Sequence, residues 1–153
     1  MSKLRIFLFI FTINFISFSC GKNQVQIIPD VPVNIIININ NDPEYFNLRA
    51  PGNADTINRT TGGYPVGYMG NGIIVYRYSE NLFYAYDRTC TYQVENHTAV
   101  KLEDNSFAKC PACHSVFILA GDGLPTTAGP AKYPLKKYTT TFNPNTGELI
   151  IQN

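Results

Sequence analysis

Residues 110–117 read CPACHSVF, a Cys-x-x-Cys pair followed at once by His114. That spacing suits three different chemistries: a metal held by thiolates, a haem attached through Cys110 and Cys113 with His114 as proximal ligand, or a disulfide. One further cysteine, Cys90, lies upstream in the context AYDRTCTY. Thiolate sulfur is a soft donor that selects iron, zinc and iron-sulfur clusters, so three such groups meeting at one place would make a metal centre. A zinc site would take Cys90, Cys110, Cys113 and a histidine. His97 is favoured over His114, since adjacent Cys113 and His114 strain to face one ion. A haem motif should open a helix, whereas residues 115–119 read as strand. A nucleophile-base pairing of Cys113 with His114 fails on the expectation that neighbours on a strand point to opposite faces.

The elements that must position these groups read as a single all-β domain. No segment keeps a 3.6-residue apolar period, and the chain of 153 residues suits one core. Val33, Ile35, Ile37 and Ile39 alternate with Asn34, Asn38 and Asn40, predicting an early strand that joins the main sheet. Residues 72–78 (GIIVYRY) and 82–86 (LFYAY) are separated by a hairpin-length turn. Short strands follow at 100–102, 116–119, 138–142 and 149–152, the last two joined by the turn sequence Asn143-Pro144-Asn145-Thr146-Gly147. Tyr76, Tyr78, Phe83, Tyr84 and Tyr86 read as core and cross-strand residues. Residues 121–138, rich in Gly and Pro, form a helix-excluding loop suited to covering the two cysteine loops.

The first twenty residues read as an export signal. Lys3 and Arg5 precede a mostly apolar run at 6–18, too short to span a bilayer, which needs about 20 apolar residues. Ser19, Cys20 and Gly21 close it and resemble the lipobox of bacterial lipoproteins, whose cysteine carries the lipid, although bulky Phe18 departs from that pattern. The resulting division is a lipoprotein signal peptide at 1–19, a lipid-anchored tether with the first strand at 20–41, and the main domain at 42–153. A tether of about ten residues reaches roughly 30 Å when extended, so the domain is expected near a membrane, periplasmic or associated with the outer membrane. Removing the signal takes the formal charge from +1 to −1. No basic surface for nucleic acid follows. Export also puts the thiols in an oxidising compartment, and with Cys20 lipidated an odd number of cysteines remains.

Taken together these segments resemble the Rieske iron-sulfur domains, over about residues 72–152. That family's pattern is a first loop Cys-x-His, a second loop Cys-Pro-x-His-Gly-Ser-x-Phe, and a later Gly-Pro-Ala-x-x-Pro-Leu-x-x-Tyr. The third element is intact at residues 129–138; the second matches at Cys110, Pro111, Ser115 and Phe117; the first matches at Cys90 and Thr91, after a strand containing Tyr86. Tyr92 stands where the first histidine belongs, Cys113 where the second belongs, and His114 at the glycine position.

The resemblance implies small antiparallel sheets with a two-loop tip, a [2Fe-2S] cluster and electron transfer to a redox protein partner, with no catalysis by the chain itself. Cys90 and Cys110 would hold one iron, and Cys113 with Tyr92 or a rearranged His114 the other. Replacing imidazole by thiolate lowers the reduction potential. The alternative is a Rieske fold without its cluster, closed by a disulfide from Cys90 to Cys110 or Cys113, serving as a binding or structural module.

Overall fold

A computed structural model describes residues 27–153; the signal segment and Cys20 lie outside the described residues. Among the described residues ten strands build two antiparallel sheets. The larger takes β1 (Asn34–Asn38), β2 (Ala54–Ile57), β3 (Ile73–Arg77), β4 (Phe83–Asp87), β9 (Lys137–Asn143) and β10 (Glu148–Gln152), in the order β1-β10-β9-β4-β3-β2. The smaller takes β5 (Lys101–Leu102), β6 (Phe107–Lys109), β7 (Val116–Ile118) and β8 (Leu124–Pro125) in sequential order.

Alternation of side chains explains why β1 forms where it does. Ile35 and Ile37, with Val33 and Ile39 just beyond the strand ends, are buried, whereas Ile36 on the opposite face is 53% exposed. β1 docks on β10, with Ile35 opposite Ile151 and Ile37 opposite Leu149. The turn between β9 and β10 is closed by the Gly147 N–H donating to Asn143 O at 2.9 Å. Gly147 sits at φ 75°, and a Cβ there would lie 2.5 Å from the Asn40 side chain, so only glycine fits.

The β3–β4 hairpin is the wall between two hydrophobic cores. Ile73, Val75, Phe83 and Ala85 face the first core, with Leu149, Ile151 and Tyr138. Ile74, Tyr76 and Tyr86 face the second, with Val100, Phe117, Leu119, Cys90 and Cys110. A strand covered on both faces must be apolar throughout, which accounts for the unbroken IIVY of β3. Tyr86 also crosses the second core to donate its phenol proton to Leu119 O at 2.8 Å, tying β4 to the smaller sheet. Tyr78 departs from the core reading: it lies past the end of β3 and is 48% exposed.

Three strands escape the sequence reading. β2 (ADTI) and β6 (FAK) carry too few β-branched or aromatic residues to stand out, and β8 is only two residues long. The predicted strand at 116–119 ends at Ile118, because Leu119 opens a 3-10 turn. Among the described residues no helix is long and apolar enough to cross a membrane.

Candidate metal centre

The first cysteine loop leaves β4 through Asp87, a carboxylate with no exposure to solvent. Its Oδ1 accepts the Thr89 N–H at 2.8 Å, and its Oδ2 accepts both the Tyr68 N–H and the Tyr138 hydroxyl at 2.6 Å. A buried carboxylate is tolerated only when its lone pairs are satisfied, and here three donors do so. The chain is thereby held at the turn into Cys90, whose N–H donates to Thr98 O at 2.9 Å. Between them the loop reverses through Gln93 at φ 83° and His97 at φ 51°.

The second loop begins where β6 ends. The Cys110 N–H donates to Ser115 O at 2.9 Å and the His114 N–H to Cys110 O at 3.0 Å, closing a tight turn with His114 at φ 61°. Cys113 and His114 therefore lie in a turn rather than on a strand, which corrects the expected opposite-face arrangement. After Ser115 the chain runs straight into β7, so no helix follows the Cys-x-x-Cys-His motif.

The 121–138 segment covers both loops. The Ala131 N–H donates to the Ser115 Oγ at 3.0 Å, and the Thr91 hydroxyl donates to Tyr133 O at 2.6 Å. Gly129, at φ 81°, lies directly against Ser115: a Cβ on it would sit 2.5 Å from the Ser115 backbone nitrogen.

These loops bring the three thiols together. The Sγ atoms of Cys90, Cys110 and Cys113 all lie within 4.8 Å of one another, with Cys90 and Cys113 at 3.6 Å. Cys90 and Cys110 are buried and Cys113 is half-buried. Burial pushes the Cys90 thiol up in pKa, and the neighbouring thiols add to this against one hydrogen bond from the Tyr92 backbone. For Cys113 burial also acts upward, but hydrogen bonds from the Ser115 hydroxyl and N–H outweigh it and lower the pKa. The Cys113 thiol donates to the Ser115 Oγ at 3.2 Å, and that hydroxyl, which also accepts from the Ala131 N–H, has its own proton to donate back once the thiol ionises.

The other candidate ligands are placed differently. Tyr92 is 38% exposed and lines the same cleft as the three cysteines, together with Gln93 and Asn96. Neither His97 nor His114 belongs to the thiol group. The His97 ring instead packs against Tyr68 at 5.8 Å, and His114 is exposed. Asp87 is the positioning residue that motif reasoning misses. Its only sequence signal is an acidic side chain closing an otherwise apolar strand three residues before Cys90.

Two loops, one between β4 and β5 and the other between β6 and β7, capped by a Gly-Pro-Ala segment, make the kind of tip that the resemblance implies. The fold is all-β, with antiparallel sheets and three thiols gathered at a two-loop tip. No family model and no curated protein matches the chain. Among solved structures it is similar to a chain in the complex of reduced oxygenase and oxidized ferredoxin in carbazole 1,9a-dioxygenase, at 20% identity and TM-score 0.48, covering 81% of this chain and 94% of that one. It is also similar to the ferredoxin of carbazole 1,9a-dioxygenase from Nocardioides aromaticivorans IC177, at 18% identity and TM-score 0.47, covering 80% and 98%. A third likeness is to a Sphingomonas yanoikuyae B1 ferredoxin, at 19% identity and TM-score 0.45, covering 70% and 93%.

Proposed function

We propose that this protein is an exported, membrane-anchored electron carrier whose Rieske-like tip holds iron on Cys90, Cys110 and Cys113. The observation that carries this reading is the convergence of three thiols from two separate loops within 4.8 Å. The donor chemistry fits an iron centre in kind, since soft thiolates are the ligands iron-sulfur proteins use. In the [2Fe-2S] form, Cys90 and Cys110 would bind one iron and Cys113 with Tyr92 the other. Iron so bound supplies a one-electron couple, at a lower potential than a histidine-ligated centre.

The chain's own contribution is positional and electrostatic. Cys90 and Cys110 are buried in the second core, which keeps water from that side of the centre. Cys113 faces outward and gives an electron the shorter path to a redox protein partner. Ser115 and Ala131 fix the Cys113 sulfur, and such supporting hydrogen bonds tune both affinity and potential. The anchor is Cys20, supported by the apolar run at 6–18 and the flanking small residues Ser19 and Gly21.

Voltammetry and a visible spectrum of the anaerobically purified chain test the reading. A reversible one-electron couple with thiolate-to-iron charge-transfer bands, both absent from Cys110→Ser, is expected; a colourless protein with no couple would remove the carrier function. Changing Cys20→Ala should move the protein from the membrane to the soluble fraction, and membrane retention would refute the lipid anchor.

The 3.6 Å approach of Cys90 and Cys113 favours a second reading for metal-free protein. Those two thiols would pass two electrons and two protons to an oxidant of the exported compartment and form a disulfide, stabilising the fold by roughly 2–4 kcal/mol. Such a chain would be a closed binding or structural module.

A further inference from the structure

The three thiols differ from a two-iron site in number and in spacing. We infer that Cys90, Cys110 and Cys113 hold a single divalent ion, iron(II) or zinc(II), in a tetrahedral three-thiolate site with its fourth position opening into the cleft beside Tyr92. This rests on the proposal of a metal centre at the tip and narrows its nuclearity.

Spacing is the first argument. A tetrahedral ion with metal–sulfur bonds of about 2.3 Å places its sulfur ligands about 3.8 Å apart, the edge of that tetrahedron. Cys90 and Cys113 are 3.6 Å apart and no pair exceeds 4.8 Å. One ion at the centre of the triangle reaches all three with small side-chain adjustments.

Pairing is the second argument. The two-iron assignment puts Cys90 and Cys113 on different metals. Terminal ligands of a bridged pair point outward from its opposite ends, so a cross-metal pair must be farther apart than a tetrahedron edge around one ion. Cys90 and Cys113 are instead 3.6 Å apart.

Donor supply is the third. A two-iron cluster needs four terminal ligands, and no histidine joins the thiol group among the described residues. One ion needs a single ligand beyond the thiolates, and a water or the Tyr92 phenol can supply it from the cleft. Gln93 and Asn96, on the same cleft, are tied to each other by a 3.1 Å bond from Asn96 Nδ2 to Gln93 Oε1. The remaining shell is built for a fixed sulfur, with Ser115 held by Ala131 against Cys113.

Anaerobic reconstitution of the full chain in detergent decides the matter. Cobalt(II), zinc(II), iron(II), and iron(II) with sulfide are added separately, and metal and acid-labile sulfide are counted per chain. The expected result is saturation at one metal per chain with no retained sulfide, and tetrahedral cobalt bands with thiolate charge transfer. Cys113→Ser and Cys90→Ser should each weaken binding by at least about 100-fold, at the strong end of ligand-shell effects. Two irons with two sulfides per chain would overturn the single-ion site while leaving the electron carrier intact. One tightly bound zinc, with iron bound but showing no reversible couple, would uphold the site and remove the carrier function. No metal under any condition overturns both.

Discussion

The two cores on either side of the β3–β4 hairpin are built by different rules. The first is closed by long strands in regular register, with isoleucine, leucine and valine alternating inward along β1, β3 and β10. The second is closed by strands of two and three residues, and its side chains include two cysteines. Among the described residues, three of the five non-glycine residues at positive φ, Gln93, His97 and His114, lie in the two cysteine loops. Such backbone is unfavourable for residues other than glycine and persists where surrounding contacts impose it. One half of the molecule thus supplies stability, and the other uses it to hold three sulfurs in place.

Truncation on each side should separate those roles. Leu149→Ala, in the first core, is expected to cost about 2–5 kcal/mol in chemical denaturation while the folded protein still binds metal at full stoichiometry. Phe117→Ala, in the second, should cost about 3–5 kcal/mol and also weaken metal binding. Equal loss of metal affinity in both variants would show that the halves are not separable.

A smaller change reaches the tip alone. Gly129→Ala places a Cβ against the Ser115 backbone and a non-glycine residue at φ 81°, so roughly 1–3 kcal/mol should be lost, with the cobalt(II) spectrum disturbed. An unaltered spectrum would mean that the covering segment does not position the second loop.

Ser115→Ala should cost only about 1 kcal/mol in stability but about 10- to 100-fold in metal affinity, measured by competition with a chelator. Equal affinity in the variant would remove Ser115 from the metal shell. Tyr64→Ser, at a side chain that is 73% exposed, should stay within about 0.5 kcal/mol of the parent by the same denaturation measurement.

This division also explains what the sequence made legible. The first core was readable because period-two alternation in residues 33–39 and the paired runs at 72–78 and 82–86 report burial directly. The tip was readable only as pieces: Cys90, the 110–117 octapeptide and residues 129–138 carry recognisable types, yet their convergence depends on strands as short as β5 and β8, which leave no periodicity. His114 shows the limit. Its position beside Cys113 suggested a ligand, but the left-handed turn that closes on Cys110 leaves it exposed. Asp87 shows the converse, since its three donors come from backbone and side chains up to 51 residues away and no local motif announces them.

The most direct test is X-ray absorption at the metal edge of the metal-loaded chain. Three sulfur scatterers at about 2.3 Å, one lighter ligand and no second metal are predicted. A metal–metal scattering shell, or fewer than three sulfurs, would contradict the three-thiolate site.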